Sequence, residues 1–243
     1  MTKHRLDVRK LFAELLTIVV GVLIALAVGS WWEGVQERAE AASYKERLIA
    51  ALESDEMEFA KAADRALSVD AAALEVLAVY RGKNVSPDAA EDFAMAVLAA
   101  SWMPTATVAT DTFEDLVSTG NLALLPPEIR EALGGYYGRV KVVAEREAIF
   151  RARLASGYWQ VPPRVLGAEL LPTAWSDSAS NGDQMLSVSE AELERLVQRL
   201  RELPELDPWI ADVRHVMTQR VASYSGELTE RARALRQVLQ ALD

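Results

Sequence analysis

An all-α protein, with an N-terminal transmembrane helix followed by a helical bundle, is predicted by three features of the chain. Residues 15–32 are apolar and carry no formal charge, and residues 36–80 contain neither Pro nor Gly and are rich in Ala, Glu, Lys, Arg and Leu. Nowhere do apolar and polar residues alternate long enough to mark a half-buried strand. The 243 residues suffice for one ordinary domain or two small ones, and 51% hydrophobic residues against 26% charged ones describe a folded chain.

Composition removes whole classes of function. With no Cys there is no disulfide scaffold, thiolate zinc site, iron–sulfur cluster or cysteine nucleophile. His4 and His215 are the only imidazoles, too few for a histidine metal pair or a triad placed by sequence, so no metal and no cofactor is expected. The formal charge of −10 is unevenly spread: Lys3, Arg5, Arg9 and Lys10 against Asp7 make residues 1–10 a +3 segment, which leaves −13 on the remainder. That sign excludes nucleic acid as a partner.

The run Leu15–Trp32 reads LLTIVVGVLIALAVGSWW. At 1.5 Å per helical residue it is roughly 27 Å long, close to the ~30 Å hydrocarbon core of a bilayer, and Leu11 to Ala13 extend it. Its Leu, Ile and Val residues, at roughly −0.3 to −0.6 kcal/mol each, outweigh Glu14, which costs about 3 kcal/mol even at mid-membrane. The lipid bilayer is therefore the first partner. The division is a basic cytoplasmic stub over 1–10, a transmembrane helix over 11–32 and an extracytoplasmic domain over 33–243. The basic residues ahead of the span keep the N-terminus in the cytoplasm, and Trp31 and Trp32 anchor the far interface. In a bacterium this is an inner-membrane protein with its bulk in the periplasm. The competing reading is a signal peptide cut near Ala25-Leu26-Ala27; Glu14, the length of the run and the paired Trp favour a retained anchor.

On a helical wheel Glu14, Thr17, Gly21, Ala25 and Gly29 share one face. Small residues at spacings of four let a second helix backbone approach closely, so a homo-oligomer, or another membrane protein, is the expected partner in lipid. Two arrangements are open for Glu14. It lies near the cytoplasmic headgroups and reaches water or pairs with Arg9 or Lys10, or several copies ring the cytoplasmic mouth of a pore-like assembly.

The outer elements follow from punctuation. Tyr44, Leu48, Leu52, Phe59, Ala63, Leu67, Leu74 and Leu77 form the buried stripe of a long first helix, with Gly34 a point where it can bend at the membrane junction. Ser86-Pro87 starts a second helix expected to reach about Met103, before Pro104. Asp111 with Glu114 fits a capping box for a short helix that Gly120 ends. Pro126-Pro127-Glu128 opens a helix to about Tyr158, in which Gly134, Gly135 and Gly138 are expected to let Tyr136 and Tyr137 pack closely. Residues 159–188, rich in Pro, Gly, Ser and Asn, read as a flexible loop, most of all SDSASNGD at 176–183. Ser189 and Glu192 form a further capping box, and Asp207-Pro208 opens a final helix with the stripe Ile210, Val213, Met217, Val221, Tyr224, Leu228, Leu235, Leu239 and Leu242. The long first and last helices are expected to pack together.

Two segments carry a resemblance. Glu14, Gly21, Leu23, Ile24, Ala25, Leu26, Trp32 and Glu33, followed by Tyr44, Leu48 and Asp55, form one; Phe113, Leu116, Thr119, Gly120, Leu122, Leu125, Leu133, Tyr136 and Tyr137 form the other. Together they resemble a family of uncharacterised single-span bacterial membrane proteins. The chain departs from that pattern at Ala13, where the family carries Gly, and in its broken Asn/Trp pair. The resemblance implies a topology and no chemistry.

Other constellations give little. Glu53, Asp55, Glu56 and Glu58 read as solvated helix surface rather than a cation site, and His215 as a partly exposed structural residue. Trp102, Trp159, Trp175, Tyr158 and Trp209 read as core and loop-edge filling. No serine has an identifiable base, so the chain is not expected to be an enzyme. The function expected is a non-enzymatic, single-pass, self-associating anchor with a partner-binding bundle outside the membrane. The alternative is a homo-oligomeric ion channel with Glu14 at its cytoplasmic mouth.

Overall fold

The computed structural model of the chain describes residues 8–155, 160–167, 170, 187–204 and 206–242. Described residues are overwhelmingly helical and include no strand, so the fold is all-α. Its axis is α1, Val8–Tyr80, a single helix of 73 residues and roughly 110 Å. Gly34 does not interrupt it: the apolar run continues into the first bundle helix without a break. A 3-10 turn at Pro87–Ala89 leads into α2 (Ala90–Ala99), then come α3 (Asp111–Thr119) and α4 (Pro127–Ala155). A short helix, α5, covers 161–167. It is followed by α6 (Glu190–Arg201), α7 (Leu206–Val221) and α8 (Thr229–Gln240), the last two joined through a π-helical segment, Ala222–Leu228.

The outer half of α1 packs along α7 and α8, as the lengths of the first and last helices lead one to expect, with α2, α3 and α6 closing the remaining sides. Two apolar clusters are strung along it. Tyr44, Leu48, Leu52 and Phe59 of α1 meet Leu116, Leu133, Tyr136, Tyr224, Leu228 and Leu235 in the cluster nearer the apolar run. Val69, Ala73 and Val76 meet Phe93, Val97, Leu196, Leu200, Ile210 and Met217 in the farther one. Stripes of period 3.6 from five helices thus bury against one shaft, each buried Leu or Phe contributing about 1.5–3 kcal/mol.

Several local expectations change. The second helix ends at Ala99, not near Met103, because Ser101 and Trp102 turn out of it. Asp111 is the first residue of α3 rather than its cap, since Thr110 already has helical φ −93°, ψ −17°. Gly120 does end α3, at φ +78°. The Ser189–Glu192 capping box forms, the Glu192 carboxylate accepting the Ser189 N–H at 2.8 Å. Part of the stretch expected as a loop is the α5 helix, whose Val161, Val165 and Leu166 are buried because they complete the farther cluster. The remaining loop positions, including 176–183, Tyr158, Trp159 and Trp175, lie outside the described residues.

Candidate functional site

The positions singled out on the apolar run stand on the free part of α1. Thr17, Gly21, Ala25 and Gly29 are all exposed, and a Cβ built on Gly21 or Gly29 would meet nothing within 4 Å. The large apolar side chains around them are equally uncovered, up to Trp31 at 63% and Trp32 at 57% exposure. This is the one helix among the described residues long and apolar enough to cross a membrane, and its apolar window is entirely unburied. A helix apolar all round and covered by nothing in its own chain is suited to an apolar solvent. The backbone of Glu14 belongs to α1, whereas its side chain, with those of Arg9 and Lys10, lies outside the described residues.

Between Trp32 and Tyr44, the first buried residue, α1 runs for roughly 18 Å without a buried side chain and then docks. The docking point is polar. Tyr44 Oη donates to Asp115 at 3.1 Å, Arg47 reaches the same carboxylate at 2.8 Å and lies over the Tyr44 ring, and Asn121 Nδ2 donates to Glu40 at 2.6 Å and to Tyr44 Oη at 3.1 Å. The Arg47 guanidinium holds the Asp115 carboxyl below the usual carboxylate range.

Deeper in, the non-helical stretch 104–109 passes between helices with no ladder to satisfy its backbone, and buried side chains take that role. Asp55 is fully buried; it accepts the Ala109 N–H at 2.8 Å and the Tyr136 hydroxyl at 2.6 Å, while Tyr137 donates to the Ala109 carbonyl at 3.1 Å. Burial pushes the Asp55 carboxyl up and the Tyr136 and Tyr137 hydroxyls well above their ordinary range. On the other side Ala106 N–H donates to Tyr224 Oη at 3.3 Å, Tyr224 donates to Glu147, and Arg220 Nη1 donates to the Pro104 carbonyl. Arg220 Nε lies 3.7 Å from Glu147, too far for a hydrogen bond, and burial lowers its pKa.

The acidic group on α1 is therefore not merely solvated surface. Asp55 faces inward, Glu53 and Glu56 pair with Arg236 at 3.1 and 2.9 Å, and only Glu58, with Lys61 at 2.8 Å, behaves as an exposed helix pair. No group of three metal-ligating side chains occurs among the described residues. Tyr136 and Tyr137 are buried as expected, but not because of the neighbouring glycines: Cβ atoms at Gly134, Gly135 and Gly138 would meet nothing within 4 Å. His215 is exposed, and Trp102, expected as filling, is 45% exposed beside a cleft. Arg220 and Glu147 were not singled out in the sequence. Both sit where their stripes call for an apolar residue, Arg220 between Met217 and Tyr224 and Glu147 four residues after Val143.

The two segments that carry the family resemblance fold against each other: Tyr44, Leu48 and Asp55 meet Leu116, Leu125, Leu133, Tyr136 and Tyr137 in the nearer cluster and its polar lock. Comparison with protein-family models, with curated proteins and with solved structures gives no match.

Proposed function

We propose that this is a non-enzymatic, single-pass membrane anchor that self-associates through its span and presents a partner-binding helical bundle on the far side. The basic stub would remain in the cytoplasm and the acidic bundle would stand in the periplasm of a bacterium whose inner membrane holds the span. The observation that carries the reading is the unbroken α1, whose first part is apolar and uncovered and whose second part is the shaft of the bundle. An arrangement of this kind couples contacts made in lipid to the outer domain, because a helix transmits rotation and tilt without an intervening hinge. The resemblance to single-span bacterial membrane proteins, carried by Glu14, Gly21, Asp55 and Tyr136 among others, points the same way.

The absence of native Cys makes the test direct. Single cysteines at Gly21, Ala25 or Gly29 should give oxidative dimers in native membranes, while cysteines at Val20 or Leu23, on other faces, should not. Carbonate-resistant membrane association without any face-specific crosslink would remove self-association and leave the anchor. Recovery of the chain in a detergent-free supernatant would remove both.

A further inference from the structure

A cleft of about 700 Å³ opens beside the farther apolar cluster. Val69 of α1, Trp102 and Met103 after α2, and Pro162 of α5 supply an apolar lining, and its volume is that of a small-molecule site. Two serines in the wall direct their hydroxyls to their own backbone, Ser68 to Asp64 and Ser101 to Leu98. Among the described residues the charged groups on the wall are Arg65 of α1 and Arg151 of α4, both exposed. Neither forms an ion pair or hydrogen bond among the described residues; Glu58, the carboxylate that feels Arg65, is bonded to Lys61. Behind the cleft's Pro104 wall lies Arg220, 4% exposed, with Nη2 lacking any hydrogen-bond partner among the described residues. Its charge is close enough to Arg151 for the two to repel.

Two guanidiniums thus border one apolar cleft and a third lies behind its Pro104 wall, in a chain of net charge −10, with Glu147, already bonded to Tyr224, as the carboxylate beside Arg220. An uncharged apolar ligand would leave that positive field unanswered, and a bare anion would leave the Trp102 and Met103 wall wet. We propose that the cleft binds a single-chain anionic amphiphile, a long-chain carboxylate whose acyl chain lies along Trp102, Met103 and Pro162 and whose head group is held by Arg65 and Arg151. Arg65 lies 33 residues beyond Trp32, roughly 50 Å up the helix, so the ligand comes from the aqueous phase and not from lipid in the bilayer. This assignment stands apart from self-association of the span.

The test uses the full chain in lipid nanodiscs and a dodecanoate carrying a terminal photoreactive diazirine, with labelled peptides mapped by mass spectrometry. Saturable labelling of the peptide containing Trp102 to Thr105 is expected, displaced by dodecanoate and not by butyrate or dodecanol. The double substitution Arg65→Gln/Arg151→Gln, at exposed positions, should reduce that labelling at least tenfold while leaving the melting transition in place. Label confined to residues 15–32, equal displacement by dodecanol or by inorganic phosphate, or undiminished labelling of the double variant would each overturn the assignment.

Discussion

Replacing Asp55 by Ala strips the acceptor from the Ala109 N–H and the Tyr136 hydroxyl, both buried, and should cost about 2–4 kcal/mol in denaturant unfolding. Its pH signature runs opposite to that of an ordinary ion pair. Because burial raises the folded-state pKa of Asp55 above its unfolded value, its contribution is full below the unfolded pKa and is lost as pH rises through the folded one. The stability difference between the native chain and Asp55→Asn should therefore shift in favour of the native chain as pH falls from 7 towards 4. A flat difference across that window would show that the carboxyl titrates normally. For Arg220 the partner matters more than the charge. Arg220→Met alone leaves Glu147 buried without a cation and should cost about 3–5 kcal/mol, whereas Arg220→Met with Glu147→Leu should recover most of it, measured by the same unfolding experiment. Asp55 was readable in principle: with Leu48, Leu52 and Phe59 it continues the 4-3-4 spacing of the buried stripe. An acid on that spacing is a buried acid, but its partners lie 54 and 81 positions away and leave no local trace.

At the scale of elements, Gly120 ends α3 in the left-handed region, where a Cβ costs roughly 1–2 kcal/mol, so Gly120→Ala should destabilise by about that amount although the added methyl meets nothing. The continuity of α1 is open to a similar test. Ala39→Pro, in the stretch before Tyr44 that buries no side chain, should leave the thermal midpoint of the bundle nearly unchanged yet broaden the distance distribution between spin labels at 28 and 60; an unchanged distribution would mean the shaft tolerates the break. Helix starts were legible where the chemistry is local and closed, as in the Ser189–Glu192 box. They were misread where the same residue types occur in another backbone state, as at Asp111, whose preceding residue is already helical. The π-helical segment was invisible because the apolar stripe runs through Met217, Tyr224 and Leu228 with spacings an α-helix also satisfies.

For the whole molecule, the all-α class and the pairing of the first and last helices followed from periodicity and length, which a sequence displays openly. The meeting of two clusters on one shaft did not, because α5, whose side chains complete the farther cluster, lies in a stretch whose composition reads as loop. The cleft was equally hidden: its walls come from α1, the end of α2 with the turn after it, α4 and α5, so residues as far apart as Arg65 and Pro162 share one lining. Arg65 and Arg151 carry no local signal, since what sets them apart is that neither pairs with a carboxylate among the described residues.

The rod-like build of α1 makes it a lever arm. From Trp32 to Tyr80 it extends roughly 72 Å, and an inclination of about 20°, ordinary for a membrane helix, swings the outer tip by about 25 Å across the surface. In the membrane arrangement proposed above, bilayer thickness, by setting that inclination, would then decide which neighbours the bundle can touch.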